Sequence, residues 1–433
     1  MTVSRFDMPE VLKFAGRLHA AQRPSELRLA EEVLGRASSG IDAMVSLPLY
    51  EDAPYFSQFI VPLSFQEYVV PFLCHPYVHF VNNEQPVRQL PNVGYTLILD
   101  TNFTGYINRF IKERSYQSLK REIISCIDTI LYQDLNVDFT LYLLENINKA
   151  HPIAEAIKHC RTQLTCQFWE SLDQDFKHNI INLELLSNVD CHHYRKTREL
   201  RFNISIEDAV SKSVDSTYRF YTSDESQELI SDFHLSQQAV LLQLLAILRI
   251  QLSSGGEPKD KLEEFLDFVQ DKGVYSDRET IVAYSYFKDR QTIPLLNRIS
   301  RGDIQVHWLD KIENLAWNMT VPRLMERMTA VEGEHDYMVP LFLTFDRKLS
   351  ELIKCYPVKA VIIDRRSGGV LSIPELNTID YFRREGCFDM ASEFFSVEKV
   401  KERNSGRVPT LETISEQIHT EFKEINVILN SKT

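Results

Sequence analysis

The sequence predicts an α/β fold interrupted by a large, mostly α-helical insertion. Three observations carry this. Two short apolar runs, "TLILD" (96–100) and "VPLFLTFD" (339–346), each end on Asp and lead into a helical pattern. Runs of this length without polar alternation suit strands buried on both faces, as in a parallel sheet. A third segment, "KAVIIDRRSGGVLSI" (359–373), reads as strand, Gly-Gly turn and strand, so a β-hairpin. Between the two Asp-terminated runs, residues 153–272 read as almost entirely helical.

In chain order, residues 1–94 form an α/β extension of unassigned role. They comprise one or two amphipathic helices over 8–35, an "ASSG" break, and a Pro-, Phe- and Tyr-rich stretch of short strands and loops. Residues 95–155 carry the first Asp-terminated strand, a helical stretch over 103–134, and "VDFTLYLLENINKA", which begins strand-like and ends helical. Residues 156–277 are the helical insertion, with turns near 187–192, 203–207, 221–225 and at "SSGGEP" (253–258). Residues 278–380 return to the α/β pattern, and 381–433 are a charged helical tail.

Composition bounds the function. The 433 residues exceed one small domain, and 44% hydrophobic with 25% charged content is that of a globular chain. A formal net charge of −13 does not steer the whole molecule onto nucleic acid, so any such binding needs a local basic surface. The candidates are Arg195, Lys196, Arg198 and Arg201, and the pair Arg365–Arg366, each also readable as a solvated face. Seven scattered cysteines do not form a disulfide pattern, and the N-terminus lacks the apolar core of a signal peptide. The longest apolar stretch, 239–252, is broken by Gln243, Arg249 and Gln251 and reads as a buried helix. A soluble cytoplasmic protein without membrane attachment is expected.

The chemistry sits in the two strand-terminal aspartates, Asp100 and Asp346. The carboxyl ends of neighbouring parallel strands meet in one crevice. Two carboxylates delivered there repel unless a cation or proton lies between them, and hard oxygen ligands suit Mg²⁺ or Mn²⁺. Each aspartate has a second reading, as the N-cap of the helix that follows.

The segments "LILDTNF", "LYLLENINKA" and "FLTFDRKL" together resemble the PIN-domain superfamily of metal-dependent ribonucleases. The resemblance covers roughly 95–155 and 280–375. It implies a PIN-like three-layer α/β/α domain with a central parallel sheet. It also implies Asp100, Glu145 and Asp346 as catalytic, metal-holding carboxylates, with Glu155 in reserve for Glu145. Asn102 and Thr344 are implied to orient those ligands from behind. A further Asp usual in such domains aligns with Asn318, an uncharged ligand; Asp310 is the reserve, and Glu313 lies less well on the same face. The implied cofactor is Mg²⁺ or Mn²⁺, activating water for phosphodiester hydrolysis. The implied substrate is RNA, or alternatively single-stranded DNA, in a toxin-like or defence role with a regulatory protein partner. The alternative expectation is a catalytically weak or inactive PIN-like scaffold that binds RNA or partner proteins; Asn318 and the acidic charge favour it.

Other candidates read as ordinary structure. Cys160, Cys166, Cys191, His192 and His193 lack the paired spacing of a structural zinc site. His151 and His335 read as surface residues, "SGG" (367–369) as a hairpin turn and Trp317 as a core residue.

Overall fold

The computed structural model describes residues 9–34, 40–48, 57–58, 67–75, 77–82, 93–113, 119–147, 150–153, 164–297, 299, 308–329, 337–365, 368–405 and 409–430. Among these, nine strands occur: β1 (Ile41–Leu47), β2 (Ser57–Gln58), β3 (Val69–Pro71), β4 (Tyr77–Asn82), β5 (Val93–Leu99), β6 (Asn136–Asp138), β7 (Tyr337–Leu343), β8 (Val358–Asp364) and β9 (Gly369–Pro374). They build a four-stranded sheet, β3-β7-β5-β6, and a five-stranded one, β2-β4-β1-β8-β9.

β5 is the "TLIL" run, and its lack of polar alternation follows from its central place. It pairs in parallel with β6 on one side and β7 on the other, Leu97 opposite both Val137 and Leu341. Leu97, Ile98 and Leu99 are buried. β3 adds antiparallel to the outer edge of β7, and its Pro71 occupies an edge strand, where a missing N–H is tolerated. Crossover helices follow from the parallel pairing. The expected helical stretch after β5 is two helices, Thr101–Glu113 and Arg121–Gln133, and a short helix, Thr140–Glu145, follows β6.

The second sheet is wholly antiparallel. The expected hairpin is β8–β9, and Gly368 holds the positive φ (64°) that its turn requires. Alternate residues explain why "AVII" (360–363) shows no polar face. Ala360 and Ile362 point to a core under the helices Pro9–Ala20 and Pro24–Leu34, with Phe14 and Leu18. Val361 and Ile363 point to the core of the parallel sheet. The hairpin therefore joins the N-terminal extension, pairing β8 with β1, and is not part of the parallel sheet. Conversely, the extension supplies that sheet's edge strand β3.

The helical insertion divides in two. Phe168, Phe176, Ile180, Tyr194 and Tyr221 pack into the parallel-sheet core. From Ala239 onward the chain builds a separate core with the C-terminal helix Leu411–Asn430. Helix breaks fall at the four expected turns, with capping by Asp190, Ser205 with Asp208, Ser223, and Glu257 with Asp260, and at a further, unexpected one capped by Asp173. Among the described residues one helix, Asp224–Ser253, is long and apolar enough to cross a membrane, and 72% of its apolar window is buried inside the fold. The helix Trp308–Met328 bridges the two cores: Trp308, Ile312, Ala316 and Met319 face the helical one, Val321, Leu324 and Met325 the α/β one.

Candidate functional site at the strand ends

β5 lies between the parallel strands β6 and β7, so the carboxyl ends of all three stand on one edge of the sheet, where ligands of open α/β sheets bind. Asp100 stands there, 9% exposed. Its backbone N–H donates to Leu343 O at 3.0 Å, continuing the pairing with β7. Thr344 Oγ1 donates to Asp100 Oδ2 at 2.6 Å, across 244 positions of sequence. Asp100 Oδ1 accepts from the Asn102 N–H at 3.2 Å and from Asn102 Nδ2 at 3.4 Å. Asn102 and Thr344 are thus both in contact with Asp100, the geometry expected of groups that orient it.

Asp346 is exposed and closes the helix Arg347–Lys354 as its N-cap. Its Oδ1 accepts from Lys348 N–H at 2.9 Å and Leu349 N–H at 3.0 Å, while its own N–H donates to Thr344 Oγ1 at 3.1 Å. Thr344 therefore links both aspartates, donating to one and accepting from the other's backbone. Phe345 between them is packed among Tyr68, Phe103 and Tyr106, with ring centroids 4.6, 5.7 and 6.2 Å away, which fixes the turn.

Asp138 is a third strand-end carboxylate, at the end of β6 and paired in register with Ile98. It accepts from Thr140 N–H at 2.8 Å and Thr140 Oγ1 at 3.1 Å, and burial raises its pKa above the usual carboxylate value. Sequence reading missed it because "VDFTLY" looks like the start of a strand; the signal was again an apolar residue followed by Asp and a helix start. Glu145, exposed, ends the short helix after β6. Asn318 is half-buried on the bridging helix and Asp310 is exposed near that helix's start. Glu313 is exposed on the same helix, its pKa raised by partial burial and by the neighbouring Asp310. Trp317 packs edge-on to Phe233, centroids 4.8 Å apart.

These side chains are not drawn into a metal-sized cluster. Among the described residues, the set of three ligating groups that come within 4.8 Å of one another lies elsewhere, at Cys74, His75 and Glu375. Asp100, Glu145 and Asp346 do not form such a set, and the oxygens of Asp100 and the Oδ1 of Asp346 already accept protein hydrogen bonds. In this arrangement Asp100, Glu145 and Asp346 stand as separate groups, each in its own local surroundings.

Three of the basic side chains have partners within the fold, while Lys196 and Arg201 are exposed. Arg195 Nε donates to Tyr132 O at 2.6 Å, Arg198 pairs with Asp128 at 2.8 Å, and Arg365 pairs with the fully buried Asp42 at 2.6 Å. Burial pushes the Cys191 thiol up to about 12, and His151 hydrogen-bonds Gln227 at 3.0 Å. Glu155, Cys160, His335, Arg366 and the side chain of Cys166 lie outside the described residues. No family model matches the chain, and neither a curated protein nor a solved structure matches it.

Proposed function

We propose that this chain is a PIN-like α/β scaffold that works by binding a partner protein, with its strand-end carboxylates in structural roles. The observation that carries the reading is the fate of those carboxylates: Asp100 is held by Thr344 and Asn102, and Asp346 and Asp138 each accept from the backbone of the helix that follows. A parallel β6-β5-β7 core with helices in the crossovers supports the PIN-like description of the sheet. The net charge of −13, with Arg195, Arg198 and Arg365 engaged internally, supports a basic protein surface as partner in preference to RNA.

One observation favours a second reading, a Mg²⁺- or Mn²⁺-dependent endoribonuclease. Thr344 holds Asp100 at the topological switch point, where such a site would be built, and a shift of the Asp346 side chain would bring a second carboxylate toward it. The two readings separate in one assay. Purified protein is incubated with labelled RNA and Mn²⁺ beside an Asp100→Asn/Asp346→Asn variant. The scaffold reading predicts no cleavage by either protein. Cleavage by the wild type that disappears in the variant would establish the nuclease.

A further inference from the structure

The one tight grouping of ligating side chains among the described residues lies away from the strand ends, where the two sheets are joined. Just beyond β3 the chain makes a parallel bridge from Leu73 to Val358, the first residue of β8. Cys74 N–H then donates to Val358 O at 2.8 Å, and Glu375 N–H donates to Pro357 O at 2.8 Å. Ser46 of β1 secures the same corner, its hydroxyl donating to Lys359 O at 2.9 Å and accepting from His75 N–H at 3.4 Å. Three backbone segments are thereby fixed around one point before any ligand arrives.

At that point Cys74 Sγ, a His75 ring nitrogen and a Glu375 carboxylate oxygen lie within 4.8 Å of one another. His75 Nε2 and Glu375 Oε1 are 3.2 Å apart. Ligands at about 2.0–2.3 Å from a tetrahedral ion sit roughly 3.3–3.8 Å from each other, so small side-chain adjustments close this set around one cation. The donor types are informative. One thiolate, one imidazole and one carboxylate suit a borderline ion of the Zn²⁺ class and not Mg²⁺ or Ca²⁺, which take oxygen. Three protein ligands leave a fourth position. Cys74 and Glu375 also line a cavity of about 250 Å³, shared with Phe72, Met325, Tyr356 and Arg278. The Arg278 guanidinium stacks on Tyr356 at 5.2 Å, and its buried Nη1 has no hydrogen-bond partner among the described residues.

We propose that Cys74, His75 and Glu375 bind one Zn²⁺-class cation, with its open position turned into this cavity. Binding releases the Cys74 thiol proton to solvent and exchanges the His75–Glu375 hydrogen bond for two metal bonds. The test uses the full chain, reduced and stripped of metal, titrated with Co²⁺. One equivalent should produce a near-ultraviolet sulfur-to-cobalt charge-transfer band, abolished by added Zn²⁺. Cys74→Ser should remove the band, and Glu375→Gln should weaken Co²⁺ binding at least tenfold. Cys74→Ser can perturb the corner it occupies, so the wild type supplies an independent readout. Zn²⁺ should slow alkylation of Cys74 at least tenfold, measured by peptide mass spectrometry, with Cys355 as the internal reference. A band that survives Cys74→Ser, or Cys74 alkylation unaffected by Zn²⁺, would overturn the proposal.

Discussion

Thr344 is the residue on which the strand-end region turns. Its hydroxyl donates to Asp100, a carboxylate with little water to replace the bond. Thr344→Val should therefore cost about 1.5–3 kcal/mol, the range for a hydrogen bond to a charged group, read from the urea midpoint. Asp346→Ala removes an N-cap and should cost about 1 kcal/mol. If it costs nothing, Asp346 is not the cap described. At this scale the sequence was informative about pairs within a motif: "TFD" and "DTN" flagged Thr344, Asn102 and both aspartates as mutual neighbours. It could not say where each carboxylate points. An Asp between a strand and a helix meets free backbone N–H groups of the first turn, and that local attraction competes with any shared site. Asp138 follows the same local rule; its three-residue strand ends where "VDFTLY" suggests one that continues.

Elements are tied together by ion pairs that periodicity does not reveal. Arg323, on the bridging helix Trp308–Met328, forks onto Glu279 of the helix Asp277–Lys288, at 3.0 and 2.7 Å. Burial alone would raise the pKa of Glu279, but Arg323 and the Ser276 hydroxyl outweigh it and hold it below the usual 4.5. A depressed folded pKa contributes stability that is complete above the unfolded value and lost as pH falls through the folded one. Acid titration of the wild type should therefore show a loss of stability beginning near pH 4.5 and continuing below it. Arg323→Met, removing the ion-pair partner of a buried carboxylate, should cost about 3–5 kcal/mol at neutral pH. The double change Arg323→Met/Glu279→Leu should recover most of that and flatten the acid limb. A single variant as stable as the wild type at pH 7 would contradict the pairing. Strands, the Gly-Gly hairpin and most helix breaks were legible because each rests on a local pattern; the partner of a lone Glu on a helix was not.

For the whole molecule, the assignment of segments to cores was the least legible part. "AVII" (360–363) is apolar throughout because it is sandwiched, and that pattern suits either sheet; only the pairing of β8 with β1 places it with the N-terminal extension. A second joint between the sheets is Asp42, fully buried on β1, which accepts from the Tyr337 hydroxyl at the start of β7 and pairs with Arg365. Asp42→Asn weakens both contacts and should cost about 1–3 kcal/mol in one cooperative urea transition with an unchanged slope. Two resolved transitions would show that the sheets unfold separately. The central claim, that the strand-end aspartates are structural, is tested most directly by Mn²⁺ binding. The measurement is an electron-paramagnetic-resonance titration in a Cys74→Ser/His75→Ala/Glu375→Gln background, which removes the other candidate ligands. The account predicts that adding Asp100→Asn leaves the bound Mn²⁺ unchanged. One or two equivalents of Mn²⁺ lost with Asp100 would contradict it.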